Sequence, residues 1–252
     1  YTYLPMWLRV LKKIENIIRE EMNKIDWEEI LMPSLQPKVN REKTWRWDLV
    51  DVLFKFTSPN TGKEYALWCT HEEVVSPLVQ SFTFSHKDLP RAVYQIQNKF
   101  RDETRAKSWI LRWREFIMKD LYSFHKTQED LDAYYERAVQ AYNNVYQRVW
   151  IWIQTYMTYA SWWVFSKYSH EFQTLTEAGE DIIYICEQCH VAINKEIIED
   201  QKVCPVCWNE HLVTKKAVEV WNIFKLWTKF TAPFDFTFID KDNTKQPVVM
   251  WC

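Results

Sequence analysis

Two strand-like runs around a short basic turn, ending at His125, constrain this chain more than any other feature. The first, YQIQNKFRDE, alternates charged and apolar side chains, which a strand sends to opposite faces. A turn-prone basic middle, Thr104 to Ser108, follows, and then a second run, ILRWREFIMKDLYSF. The pattern predicts a hairpin with Arg101, Arg105, Lys107, Arg112 and Arg114 crowded around its tip. Most basic hairpins are solvated charged surfaces. This one carries a particular order: Phe-Arg-x-Glu on one strand, Arg-x-x-x-Phe near the turn, Asp-x-Tyr-Ser-Phe-His after it.

The rest of the chain supplies partners for such a sheet. Trp7 to Ile25 sets Leu8, Leu11, Ile14, Ile18, Met22 and Ile25 on one helical face. EEILMPSLQP reads as a buried strand ended by Pro33 and Pro37. Leu53–Phe56 and Glu64–Leu67 read as short strands around the turn cluster from Ser58 to Gly62. Thr70 with Glu73 forms a capping box for a helix whose apolar face is Val74, Val75, Leu78 and Val79. Thr127 to Val149 is a long helix, capped by Thr127 with Asp130, and Ile153–Tyr159 a strand. The expected fold class is α+β, a mostly antiparallel sheet flanked by helices.

Cys186-x-x-Cys189 and Cys204-x-x-Cys207 are separated by 14 residues. Two such knuckles across a short hairpin can bring four thiolates to a tetrahedral Zn²⁺. A structural staple is the expected role, ahead of a nucleic-acid-reading ribbon. The six cysteines lack a secretory signal beside them, which points to thiols or metal ligands rather than disulfides. With 252 residues, no apolar run long enough to span a bilayer and a net charge of −2, the expectation is a cytoplasmic protein without a membrane or a general polyanion partner. Its unpunctuated ends suggest a fragment.

Composition enters through one anomaly: 2 Gly against 15 Trp. Together they reach the share glycine alone usually has, roughly 7%. Trp208 follows a Cys-x-x-Cys, Trp162 and Trp163 sit in a polar loop, and Trp68 precedes a helix start. Glycine serves such places because it lacks Cβ and tolerates φ > 0. Most of these tryptophans are therefore expected to be glycines in the organism, through UGA codons read as Trp in translation of the gene. Trp47 is the exception.

The hairpin motifs resemble motif 2 of class II aminoacyl-tRNA synthetases, and REFIMKD-YSFH is similar to the bacterial-type prolyl-tRNA synthetase family. The helix, strand and proline before Lys38 resemble motif 1, which in that family forms a homodimer interface. Thr70-His71-Glu72 looks like its proline-holding loop, although Trp68-Cys69 stands where the family has Gly-Pro. Ser169-His170-Glu171-Phe172-Gln173, then Gly179-Glu180-Asp181, is similar again. AVEVWNIFKLWTKF…PVVMWC resembles the run into motif 3, with Trp221, Trp227 and Trp251 read as Gly. The expected division is 1–183 catalytic core, 184–214 a four-Cys zinc-ribbon-like insertion, and 215–252 a return to the core, cut at motif 3.

The resemblance implies proline–tRNA ligation: proline, ATP and Mg²⁺ give prolyl-adenylate, and the prolyl group passes to tRNA(Pro). It casts Arg101 as the catalytic residue on the α-phosphate, where a planar guanidinium fork suits phosphate oxygens. Glu103 would meet adenine's amino group, Arg112 the outer phosphates, and Phe116 the adenine face. Glu72 and Thr70 would take proline's ammonium, and Met118, Asp120, Tyr122 and His170 would line the ring pocket. Cys186, Cys189, Cys204 and Cys207 would hold zinc. Only a small zinc hairpin fits where relatives carry an editing domain, so hydrolysis of mischarged tRNA in cis is not expected. Without motif 3 the 252-residue piece alone is expected to be inactive. The alternatives are a threonyl- or seryl-type synthetase, a catalytically silent tRNA- or partner-binding relative, and a zinc-ribbon nucleic-acid binder.

Overall fold

The computed structural model describes residues 2–105, 111–162 and 166–252; the expectations on Lys107, Ser108, Trp109 and Trp163 lie outside them. In chain order the elements are α1 (Pro5–Asn23), β1 (Glu28–Glu29), β2 (Leu35–Pro37), α2 (Lys38–Glu42), α3 (Arg46–Leu49), β3 (Phe54–Thr57), β4 (Glu64–Leu67), α4 (Glu72–Gln80), β5 (Arg91–Phe100) and β6 (Glu115–His125). Then come α5 (Gln128–Arg148), β7 (Thr155–Trp162), β8 (Ser166–Leu175), β9 (Asp181–Cys186), β10 (Val191–Asn194), β11 (Val213–Ile223), β12 (Lys225–Trp227), β13 (Thr237–Ile239), β14 (Lys245–Pro247) and β15 (Val249–Trp251). Two compact units result: Met22–Arg137 with Leu226–Cys252, and Tyr1–Glu21 with Ala138–Lys225. None of the described helices is long and apolar enough to cross a membrane.

The first unit is built on a five-stranded sheet in the order β1-β5-β6-β15-β12. Strands β5 and β6 form the expected antiparallel hairpin, in register from Arg91 opposite Phe124 to Phe100 opposite Glu115. Directly opposed residues share a face. Gln95 with Asp120, Gln97 with Met118 and Lys99 with Phe116 therefore mark one side of the sheet. Trp27, Tyr135 and Trp251 pack as an aromatic group in this unit, with Trp251 5.8 Å from each of the other two. Strands β2, β4 and β3 make a small antiparallel sheet, and Gly62 turns between β3 and β4 at φ 66°.

Three expectations change here. EEILMPSLQP is not a buried strand: only Glu28–Glu29 and Leu35–Pro37 are extended, and most of their residues are exposed, because the prolines interrupt pairing. The second hairpin strand begins at Glu115, so Arg112 and Arg114 belong to the connection. Thr70 caps nothing: α4 starts at Glu72 with His71 as its N-cap residue and no side-chain cap. By contrast, Thr127 does cap α5, accepting from the Asp130 N–H at 3.2 Å.

The second unit holds an element the sequence pattern did not announce, a closed five-stranded barrel in the order β10-β7-β8-β11-β9. Tyr156, Ile183, Ile185, Ala192 and Ala217 form a buried cluster in it. Gly179 is required there, since a Cβ would stand 2.1 Å from the Ala217 carbonyl oxygen. Tyr142 and Tyr146 of α5 pack on Phe172 and Trp221.

Left-handed backbone separates the tryptophans. Trp45 (φ 62°), Trp150 (φ 68°), Trp208 (φ 61°) and Trp227 (φ 53°) all occupy it, and the other non-glycine residues described there are Asp26, His190, Asp235 and Asn243. Asp, Asn and His tolerate this region; a bulky indole does not. Trp150 ends α5 in a Schellman arrangement: its N–H donates to the Gln147 carbonyl and the Ile151 N–H to that of Tyr146. That position is ordinarily glycine.

Candidate active site

Arg101 to Glu103 follow directly on β5. Arg101 donates its backbone N–H to the Arg114 carbonyl at 2.9 Å, which closes the hairpin one residue beyond the paired strands. Its guanidinium lies over the Phe116 ring, 5.1 Å from the centroid. Arg112 reaches Glu103 at 3.7 Å, and Arg114 donates to the Glu103 carbonyl at 2.9 Å. The structure thus brings Arg101, Glu103, Arg112 and Phe116 to one end of the hairpin. Arg112 is half-exposed, so its cation is presented rather than buried.

Deeper on the same face, the turn into α4 is held by a residue the sequence reading passed over. Arg46 donates to Glu72 at 2.8 Å, Glu73 at 3.0 Å and the Thr70 hydroxyl at 3.0 Å. Thr44 also donates to Glu73, at 2.9 Å. Burial alone would raise the Glu72 carboxyl, but the charge of Arg46 and hydrogen bonds from Thr70 and Arg46 hold it below the usual range. Burial likewise opposes the Arg46 charge, and Glu72 and Glu73 outweigh it.

Asp120 and Tyr122 form a second buried group. Asp120 pairs with Lys99 at 2.7 Å and accepts from Gln95 and from the Tyr122 hydroxyl, both at 2.9 Å. Tyr122 in turn accepts the His71 backbone N–H at 2.8 Å. The other side of His71 places Nε2 3.1 Å from the Pro33 carbonyl, an acceptor only, so Nε2 carries the proton. Burial and then nearby Lys99 push the His71 imidazole down to about 4, so it is neutral at pH 7. Met118 lies half-buried on this face between the two groups.

His170 lies on β8 in the barrel unit, edge-on to Tyr159 with ring centroids 4.8 Å apart. Burial, then Lys225, lowers it to about 4. In the same unit Cys186, Cys189, Cys204 and Cys207 bring their sulfurs within 4.8 Å of one another. Cys186 and Cys207 are 3.6 Å apart and all six cysteines are free thiols. Four thiolates about 2.3 Å from one zinc stand about 3.8 Å apart, so the spacing fits tetrahedral coordination. Although burial opposes it, hydrogen bonds from Asn209 and the backbone of Cys189 bring the Cys186 thiol down to about 6.

Sequence reasoning missed Arg46 and Lys99 as parts of this site, and named His71 only as the middle of the Thr70-His71-Glu72 loop. Trp68 is fully buried on this turn, stacked on His71 and lying under Arg41, and its indole N–H meets no acceptor among the described residues.

Comparison with known proteins gives a consistent result. Residues 54–252 match the model of the tRNA synthetase class II core domain (G, H, P, S and T). The chain is 43% identical over 198 residues to the proline–tRNA ligase of Moorella thermoacetica, covering 78% of this chain and 34% of that protein. It is 36% identical over 255 residues to the probable mitochondrial proline–tRNA ligase of Rattus norvegicus, covering 100% of this chain and 53% of the relative. The chain therefore spans between about a third and about half of the curated relatives it matches. Among solved structures, Giardia lamblia prolyl-tRNA synthetase in complex with prolyl-adenylate aligns with a TM-score of 0.76 at 17% identity, over 98% of this chain and 45% of that one. The Cryptosporidium parvum enzyme, complexed with halofuginone and AMPPNP, aligns at 0.71 and 14% identity, over 96% and 42%. These two likenesses concern the fold.

Proposed function

Since this chain belongs to the class II tRNA synthetase core family, we propose that it is the catalytic core of a proline–tRNA ligase. The carrying observation is the β5–β6 register, which sets Lys99, Phe116, Met118 and Asp120 on one face, with Arg101 lying over Phe116. One surface can then hold an amino acid beside a nucleotide. Proline's carboxylate oxygen attacks the α-phosphorus of ATP, the bond to the β-phosphate breaks, and pyrophosphate leaves. Two anions must approach in line, so fixed cations and positioning matter more than a general base. Arg101 supplies a cation for the α-phosphate, Arg112 one for the outer phosphates, and Phe116 and Glu103 an adenine platform. Glu72, held ionised by Arg46, takes proline's secondary ammonium, with Thr70 beside it. A terminal ribose hydroxyl of tRNA(Pro) then attacks the prolyl carbonyl and AMP leaves.

The finer parts of the reading are these. Mg²⁺ accompanies ATP, because multi-phosphate substrates bind it. Zn²⁺ is held by the four cysteines of a ribbon-like insertion at 184–214, a reading their convergence supports. Exposed Leu4, Met6 and Val10 near the start of α1 suit pairing with a second copy into a homodimer. The reaction belongs in the cytoplasm, in keeping with the bacterial relatives, and editing in cis is absent.

The test is amino-acid-dependent ATP–pyrophosphate exchange by the full-length protein. Exchange with proline, and not with threonine or serine, is expected. Exchange driven by threonine or serine would reassign the substrate, and none with any amino acid would leave a silent relative.

A further inference from the structure

We propose that Lys99 is a positioning residue of the amino-acid pocket, acting through Asp120 and Tyr122 on the turn that presents Thr70 and Glu72. This rests on the reading of the pocket given above. Lys99 is fully buried, and its ammonium reaches Asp120 at 2.7 Å. A buried ammonium is costly to keep without a partner. Its position is also fixed: it stands opposite Phe116 on the hairpin, two residues before Arg101 and on the same side of the sheet.

The hydrogen-bond directions show what the pair does. A tyrosine hydroxyl has one proton to give. Tyr122 gives it to Asp120, which leaves its oxygen to accept the His71 backbone N–H. His71 is the residue immediately before α4, and Thr70 and Glu72 flank it. The peptide N–H that Tyr122 grips therefore lies between the two side chains assigned to proline. Gln95 braces the other end, donating to Asp120 while accepting the Met32 N–H at 3.0 Å. Tyr122 thus has its proton and an acceptor site engaged within the chain, so it orients the pocket instead of touching substrate.

Lys99 keeps this polarity. As a carboxylate Asp120 can only accept, so Tyr122 must donate to it. Without the ammonium, the buried Asp120 loses the counter-charge that anchors it at 2.7 Å. Its hold on the Tyr122 hydroxyl then loosens, and the His71 N–H loses its fixed acceptor. The Thr70–Glu72 turn, still tied to Arg46, then loses its second anchor and can shift, while Arg101 and Arg112 keep their own contacts at the end of the hairpin. The inference is therefore selective for the amino acid over the nucleotide.

Lys99→Met, Tyr122→Phe and the double variant, each in the full-length protein, test it by pyrophosphate exchange with KM measured separately for proline and ATP. Each single variant should raise the proline KM roughly tenfold with the ATP KM within about twofold, and the double should also stay near tenfold, because one strut is cut twice. A double variant near a hundredfold, or proline and ATP KM rising together, would overturn the proposal. If Lys99→Met fails to fold, Tyr122→Phe decides alone, since it leaves the ion pair intact; an unchanged proline KM there sinks the idea. Wild-type protein without proline-dependent exchange takes the functional reading down with it. Active wild type with unaltered variants removes only this inference.

Discussion

On the sheet face, Arg46 and Lys99 meet Glu72, Glu73 and Asp120 at 2.7 to 3.0 Å, so the chain brings both signs of charge to the same buried spot. At the cysteine end of the barrel unit, four sulfurs converge within 4.8 Å, so the group gathers metal donors of one kind. The sheet-face charges lie away from water, where an unpaired charge is expensive, whereas in the cysteine group Cys207 is exposed and Cys189 half-buried. The first is self-sufficient once folded. On the proposed reading the second takes a soft divalent ion, which thiolates at tetrahedral spacing would select. If the proposed function holds, a surface that admits substrate and a staple that stays shut use different chemistry for that reason.

The difference is broken most directly by removing the metal. Zinc stripped by a chelator, or Cys204→Ser, should destabilise the barrel unit by several kcal/mol, because metal binding to a site absent from the unfolded chain counts toward folding. One zinc per chain by metal analysis, with a melting temperature that falls on chelation and returns on adding zinc, is the expected result. Melting curves that ignore chelator would remove zinc from the account.

Breaking the other region comes next in size. Arg46→Met leaves Glu72 and Glu73 buried without their shared cation, and a broken buried pair costs roughly 3–5 kcal/mol. Zinc should not restore this variant. Urea melts with and without added metal make the comparison, and a loss below about 1 kcal/mol would show that Thr44 and solvent suffice for the carboxylates.

What could be read from the sequence follows the same division. The cysteine site was plain because ligand spacing within each knuckle is local, and a strand's period of two told which residues share the face of β5 and β6. Arg46 was not readable: it meets Glu72 and Glu73 only after the fold brings α3 against the turn before α4. Lys99 looked like one more surface charge, because a one-dimensional pattern shows its face but not the depth of that face. The barrel was hidden for a related reason. Each of its strands is ordinary alone, and closure depends on pairings such as β10 with β7 and β11 with β8. In EEILMPSLQP the two prolines, which cannot donate to a ladder, outweigh the apolar residues around them.

Acid acts on both regions, because His71 on the sheet face and His170 in the barrel unit are each held at about 4, so single variants are needed to tell them apart. His71 is held at about 4, against an ordinary value of 6.5. The unfolded chain therefore binds the extra proton between those values and the folded chain does not, so stability is present above pH 6.5 and is lost as pH falls toward 4. The full shift corresponds to about 3 kcal/mol. Urea melts from pH 7 to pH 4.5 should show the decline, and a His71→Gln variant a flatter one. A flat wild-type profile would mean that His71 is protonated without cost.

The smallest effect tests what both regions share. Trp45 precedes Arg46 and Trp208 follows Cys207, and both hold left-handed backbone with their indoles mostly in solvent. An L-residue there costs roughly 1–2 kcal/mol, part of which glycine gives back through its freer unfolded chain. Trp45→Gly and Trp208→Gly should each stabilise the protein by about 1 kcal/mol. Trp47, buried in a cluster with Leu53, Ala66 and Cys69, should instead lose roughly 3–5 kcal/mol on truncation. The opposite signs two residues apart would follow from left-handed backbone under an exposed indole at 45 and from a buried indole at 47. Peptide mass spectrometry on protein from its own host would then be expected to read glycine at 45 and 208 and tryptophan at 47. Stability losses at 45 and 208, with tryptophan in the host peptide, would make the indoles genuine and leave their left-handed backbone as strain the fold carries.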